Sequence, residues 1–173
     1  MKGLDLEHWC LYRERSVYET LEYLKRKGWI LKEAQKEVNR LKNNGFINEE
    51  RFAKAFVSGK HKINKWGKHK ILAGLQKHNL SQDIQKIALS TLDEEIYQSS
   101  LIHLIRNQKN RRSKNQLIKW LMGRGFEYQI IVTLLAKEKI FNIIFLKNYS
   151  LNKINYNFRS EEHTSELQSH SFI

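Results

Sequence analysis

One pattern is written three times along this chain, and that repetition limits the fold more than any single motif. Anchored on Ser16, Gly67 and Ser113, it places Leu21, Leu72 and Ile118 five residues on and Leu24, Leu75 and Leu121 eight on. Gly28, Asn79 and Gly125 stand twelve residues past the anchors. Ten residues beyond these come Val38, Leu89 and Leu135, and thirteen beyond come Leu41 and Leu92. The apolar spacing predicts a short amphipathic helix after each anchor. Gly28, Asn79 and Gly125 fall where a helix takes a left-handed C′ residue, which glycine adopts freely and asparagine tolerates.

Two more helices complete each copy. The one that follows carries Ala34–Val38–Leu41, Ile84–Ile87–Ala88 or Ile130–Ile131–Leu134 on its apolar face, with Ser81 as an N-cap in the middle copy. The one ahead of the anchor is clearest in the middle copy. There Asn48 caps it, Glu49 and Glu50 complement the helix dipole, and Phe52, Ala55 and Phe56 form its apolar stripe. In the last copy Asp93-Glu94-Glu95 precede Ile96, Tyr97, Leu101 and Leu104; in the first, Leu6, Trp9 and Cys10 mark a shorter equivalent. The predicted architecture is therefore all-α, with three tandem three-helix repeats over 4–43, 44–92 and 93–138 in an elongated, curved array. Units this small bury little surface alone and must stack on neighbours.

Composition agrees. A chain of 173 residues would ordinarily hold about eight prolines at an average usage of roughly 5%, and this one has none. Proline breaks helix interiors, so its absence favours helices. The single cysteine, Cys10, excludes an intramolecular disulfide framework and fits a reducing, cytoplasmic setting. The opening Met1-Lys2-Gly3-Leu4-Asp5-Leu6-Glu7 has no apolar signal-peptide core. Ile130–Leu146, the most apolar stretch, is cut by Lys137, Glu138 and Lys139, which argues against a membrane span.

The C-terminal stretch has a different origin. Arg159 to His170 read R-S-E-E-H-T-S-E-L-Q-S-H, which resembles the translation of a sequencing-library adapter. Residues 159–173 therefore read as an adapter-derived, disordered tail. Residues 139–158 form a doubtful extension, built almost wholly of Ile, Phe, Asn, Lys and Tyr. A last helix and read-through of AT-rich DNA both account for it. The whole chain carries a formal charge of +13; without Arg159, Glu161, Glu162 and Glu166 the remainder carries +15.

That charge is clustered. Lys60, His61, Lys62, Lys65, Lys68, His69 and Lys70 crowd one helix junction of the middle repeat. Lys109, Arg111, Arg112 and Lys114 occupy the equivalent junction of the last, with Lys119 and Arg124 nearby, and Arg13 and Arg15 that of the first. A basic patch recurring at matched positions predicts a stripe facing a polyanion, nucleic acid first. The candidates for binding a polyanion are Lys60, Lys62, Lys65, Lys68, Lys70, Arg111, Arg112, Lys114 and Arg124. Trp9, Trp29, Trp66 and Trp120 fit packing better than base stacking, with Trp66 the best stacking candidate. Other chemistry is missing. His8 and Cys10 point apart on a helix, His61 and His69 lack i, i+4 spacing, and Gly123-Arg124-Gly125 reads as a helix terminus. No nucleophile–base pair and no metal or cofactor motif emerges, so an enzyme is not expected.

Several strings resemble a known family. Gly45-Phe46-Ile47-Asn48-Glu49-Glu50-Arg51-Phe52-Ala53, then Lys65-Trp66-Gly67 and Ile71 to Leu75, are similar to the RecX regulators. So are Trp9-Cys10-Leu11-Tyr12-Arg13-Glu14-Arg15-Ser16 and Leu121 with Arg124-Gly125-Phe126-Glu127. The resemblance spans about residues 6–138 and is closest to the Bacteroidetes-like version. It implies three tandem three-helix repeats and a negative regulator of the RecA recombinase. Such a protein binds along the RecA–single-stranded-DNA filament and restrains its ATPase, strand-exchange and co-protease activities. It implies no cofactor and no catalytic residue, and a monomer is the expected state. Two alternatives remain open from the residues alone: a general nucleic-acid-binding helical module, and an α-solenoid adaptor for an acidic protein.

Overall fold

The structure, a computed structural model, describes residues 5–138. The 139–158 extension and the 159–173 tail lie outside the described residues. Every regular element among the described residues is a helix: α1 Leu6–Leu11, α2 Val17–Arg26, α3 Leu31–Asn43, α4 Glu49–Lys62, α5 Lys68–Gln76, α6 Gln82–Leu89, α7 Glu94–Gln108 and α8 Lys114–Gly123. A further helix, α9, covers 128–138. None is long and apolar enough to cross a membrane among the described residues. The chain to Ile131 forms one compact body, and a second begins at Val132.

The three anchors are N-caps. Ser16, Gly67 and Ser113 open α2, α5 and α8 in extended backbone. The serine hydroxyls accept the amides of Glu19 and Gln116, so one of the four unpaired N–H groups at each of these helix starts is satisfied. Gly28, Asn79 and Gly125 all take positive φ, at 83°, 56° and 89°. After α2 and α8 this produces the full Schellman pattern: the amides of Trp29 and Phe126 bond to the carbonyls of Leu24 and Leu121, both at 3.2 Å. Asn48 and Asp93 cap α4 and α7 as their sequence predicts.

Each of the first two repeats closes around its own core. Leu6, Cys10, Leu24, Ala34, Val38 and Leu41 are buried together in the first, joined by Ile47 from the start of the second, with Trp9, Tyr23 and Trp29 packed against them. Phe52, Ala53, Val57, Ile71, Leu75, Leu80 and Ala88 form the second. There α4 packs on both α5 and α6. Leu24, Leu75 and Leu121 are fully buried; truncating such a residue to alanine costs about 2–5 kcal/mol.

Several apolar positions differ from the sequence reading. The buried partner of the +8 leucine lies four residues past the anchor, at Thr20, Ile71 and Leu117. Spacing by four suits a helix with 3.6 residues per turn as well as spacing by three does, and a threonine hides the pattern in the first copy. Its hydroxyl is satisfied by the Ser16 carbonyl at 2.9 Å. In α6, Ile87 is 46% exposed and Gln85 is buried in its stead, its amide donating to the Leu80 carbonyl at 2.7 Å. In α7, Ile96 is 53% exposed and the buried stripe is Tyr97–Leu101–Ile105. In α4, Ala55 is exposed and Ala53 and Val57 face the core.

Candidate functional site

The middle and last repeats meet through their main chains. At this junction the amide of Gly67 donates to the Arg124 carbonyl at 2.8 Å, and that of His69 to the Gly125 carbonyl at 3.0 Å. A Cβ on Gly67 would lie 2.3 Å from the Gly125 carbonyl carbon, and one on Gly125 would lie 2.4 Å from the Lys70 Cβ. Around this contact the Tyr97 hydroxyl accepts the Lys68 amide at 3.1 Å and donates to the Glu127 carboxylate. Burial, then the Glu127 carboxylate, push the Tyr97 hydroxyl's pKa well above the ordinary tyrosine value.

Lys60, Lys70, Arg112 and Arg124 take up an arrangement here that sequence order conceals. Lys65 takes left-handed backbone (φ 54°), and the chain then folds back so that the Trp66 amide bonds to the Lys60 carbonyl at 3.1 Å. Two lysines that flank Trp66 in sequence thus both come close to its ring. Lys60 Nζ is 5.0 Å and Lys70 Nζ 4.7 Å from its centroid. In the last repeat Arg112 and Arg124 lie 4.7 and 4.4 Å over the Trp120 ring. Arg124 also donates to the Asn64 carbonyl at 3.1 Å, which ties the α8 terminus to the α4–α5 loop. Distances under 6 Å are those of cation–π attraction.

The first repeat carries a similar stack. Arg15 lies 3.7 Å over Trp9, Trp9 stacks on Tyr23 at 4.5 Å, and Lys27 lies 5.7 Å from the Tyr23 ring. Matched positions explain the likeness. One residue before the anchors stand Arg15, Trp66 and Arg112; seven after stand Tyr23, Gly74 and Trp120; eleven after stand Lys27, His78 and Arg124. In the middle repeat the aromatic ring comes from the position before the anchor. Gly74, at the position that holds a ring in the other two repeats, packs closely on Phe56, which a Cβ there would meet at 2.7 Å.

Charge compensation separates these stacks. Arg13 and Arg15 both pair with Glu19, and Arg51 pairs with Glu14 at 2.9 Å. Lys68 pairs with Glu94 at 2.7 Å and holds that carboxyl below its usual range. Among the described residues, no carboxylate pairs with Lys60, Lys62, Lys65, Lys70, Arg111, Arg112, Lys114 or Arg124. Of the nine candidates, then, only Lys68 is tied to an acid. His61, grouped with the basic surface on sequence, is buried instead. It is bonded through Nδ1 to the Trp66 carbonyl at 3.0 Å and lies against Tyr97. Among the described residues no group of three or more His, Cys, Asp and Glu is placed to hold a metal ion.

The first and middle repeats meet at a histidine. Ser16 Oγ and His78 Nδ1 are 2.8 Å apart, and the imidazole packs on Phe52, Phe56 and Tyr18. Burial lowers the His78 pKa, opposed by Glu19 and reinforced by Arg13 and Lys60.

Comparison with known proteins closes the assignment of family. Residues 48–89, the span of α4–α6 with its cap, match the family described as RecX, second three-helix domain. A protein named Regulatory protein RecX from Bacillus pumilus is 31% identical over 127 residues, covering 69% of this chain and 48% of its own length. Its namesake from Lactobacillus johnsonii is 28% identical over 126 residues, covering 69% and 46%. The chain belongs to the RecX family. The crystal structure of RecX from Lactobacillus salivarius shares the fold, with a TM-score of 0.65 at 20% identity over 77% of this chain and 91% of that one. This RecX-family chain spans about half the length of the curated relatives it matches.

Proposed function

We propose that this chain is a negative regulator of the RecA recombinase. It binds along the RecA–single-stranded-DNA filament and restrains ATP hydrolysis, strand exchange and co-protease activity, acting in the cytoplasm as a monomer and by binding alone. The observation that carries this reading is that eight of the nine candidate cations have no carboxylate partner among the described residues, and that Lys60, Lys70, Arg112 and Arg124 gather on two tryptophans where the middle and last repeats meet. A surface of that kind offers charge to phosphates and to acidic side chains, and a nucleoprotein filament presents both. The family name supports RecA as the partner.

The test is the single-stranded-DNA-dependent ATPase of RecA. A filament regulator inhibits at amounts well below those that coat the DNA. A general nucleic-acid-binding module inhibits only when the DNA is saturated, and an adaptor for an acidic protein leaves the rate unchanged. Absence of inhibition overturns the proposal.

A further inference from the structure

Two cation–aromatic ladders converge at one place. Lys60, Trp66 and Lys70 form the first; Arg112, Trp120 and Arg124 form the second. The main-chain contact of Gly67 with Gly125 brings them side by side, because Lys70 stands against Gly125 and Arg124 reaches the Asn64 carbonyl. The side chains at the two ends differ in chemistry. Lysines supply rotatable point charges, and arginines supply planar forks that fit phosphate oxygens. Arg124 Nη1 donates to the Asn64 carbonyl at 3.1 Å, which holds the guanidinium at the junction. In the first repeat Arg15, which stands at the position of Arg112, is neutralised through Glu19.

The rings bear on how a strand would be read. A tryptophan that serves as a base platform must offer a free face. Here both half-buried rings already carry two cations of their own chain within 5.0 Å. An incoming base competes with those cations, whereas an incoming phosphate meets them as partners. We infer that the Gly67–Gly125 contact fuses the two ladders into one binding site for the sugar–phosphate backbone of a single strand, in which Trp66 and Trp120 position the cations and do not stack on bases. This rests on the reading that the basic surface meets single-stranded DNA directly. It assigns the tryptophans to positioning and the contact to the middle and last repeats, and it makes binding indifferent to base identity.

The experiment is a titration of the full chain with two labelled oligonucleotides of equal length, an oligothymidylate and its abasic counterpart. Equal affinity, within about twofold, is expected, since each stacked base would otherwise favour the thymidylate by about fivefold or more. A thymidylate preference beyond that overturns the ladder assignment and leaves direct DNA binding standing. Binding of neither strand removes the direct-contact reading and the ladder site together. As a second arm, Trp66→Phe and Trp120→Phe keep a ring and should retain affinity. Trp66→Leu and Trp120→Leu should weaken both oligonucleotides alike, and a loss confined to the thymidylate contradicts the proposal. The wild-type comparison stands even if a leucine variant fails to fold.

Discussion

Gly67 and Gly125 touch backbone to backbone: the Gly67 amide bonds to the carbonyl immediately before Gly125, and a side-chain carbon on either glycine would overlap the other repeat. The +89° φ at Gly125 adds a second reason for glycine there. Gly67, at φ −82°, is constrained by space alone.

This contact makes Gly67→Ala costly by about 1–3 kcal/mol through overpacking. Gly125→Ala costs more, because the left-handed backbone adds about 1–2 kcal/mol. Gly59→Ala is the control. It lies inside α4 with nothing within 4 Å of an added Cβ and gains about 0.5–1 kcal/mol. Urea unfolding reads all three, and equal midpoints for Gly67→Ala and Gly59→Ala would refute the packing argument.

Tyr97 links α5, α7 and the segment before α9 through one hydroxyl. Tyr97→Phe leaves the Lys68 amide and the half-buried Glu127 carboxylate without this partner, at a cost of about 1–3 kcal/mol. Adding Glu127→Gln to that variant should recover part of the loss, because an unpaired charge is then removed. A double-mutant cycle measures the coupling, and strict additivity argues against it.

Much of the local architecture is legible in the amino-acid sequence. Ser16, Gly67 and Ser113 act as caps, and Gly28, Asn79 and Gly125 as left-handed termini, because both roles depend on a residue's own backbone and its near neighbours. Thr20, Ile87 and Ile96 depart from the apolar pattern because periods of three and four fit one helical turn equally well; only packing selects between them. The ladders are hidden for another reason. Trp66 and Trp120 occupy different positions of the repeat, and their likeness emerges only once the α4–α5 loop has folded back. Which cations are neutralised is equally illegible, since Glu94 lies far along the chain from Lys68.

His78 predicts how stability responds to acid. Its imidazole is held neutral against Ser16, with a pKa below its ordinary value, so on acidification the unfolded chain takes up this proton first. Stability from this site is therefore complete above about pH 6.5 and falls as the pH drops from there towards the lowered value. The drop in melting temperature between pH 7.5 and pH 5.5, values that bracket a pKa of about 6.5, should be smaller in His78→Gln than in the wild type. An identical drop would remove His78 from the account.

The most direct measurement is the affinity of the chain for RecA filaments on single-stranded DNA across a range of salt, with wild type beside Lys70→Gln/Arg124→Gln. Wild-type log affinity should fall linearly with log salt. The variant should bind more weakly, with a slope shallower by about 0.7 for each phosphate it no longer neutralises. Unchanged affinity and unchanged slope in a folded variant would place the filament interface away from the Gly67–Gly125 junction and contradict the account.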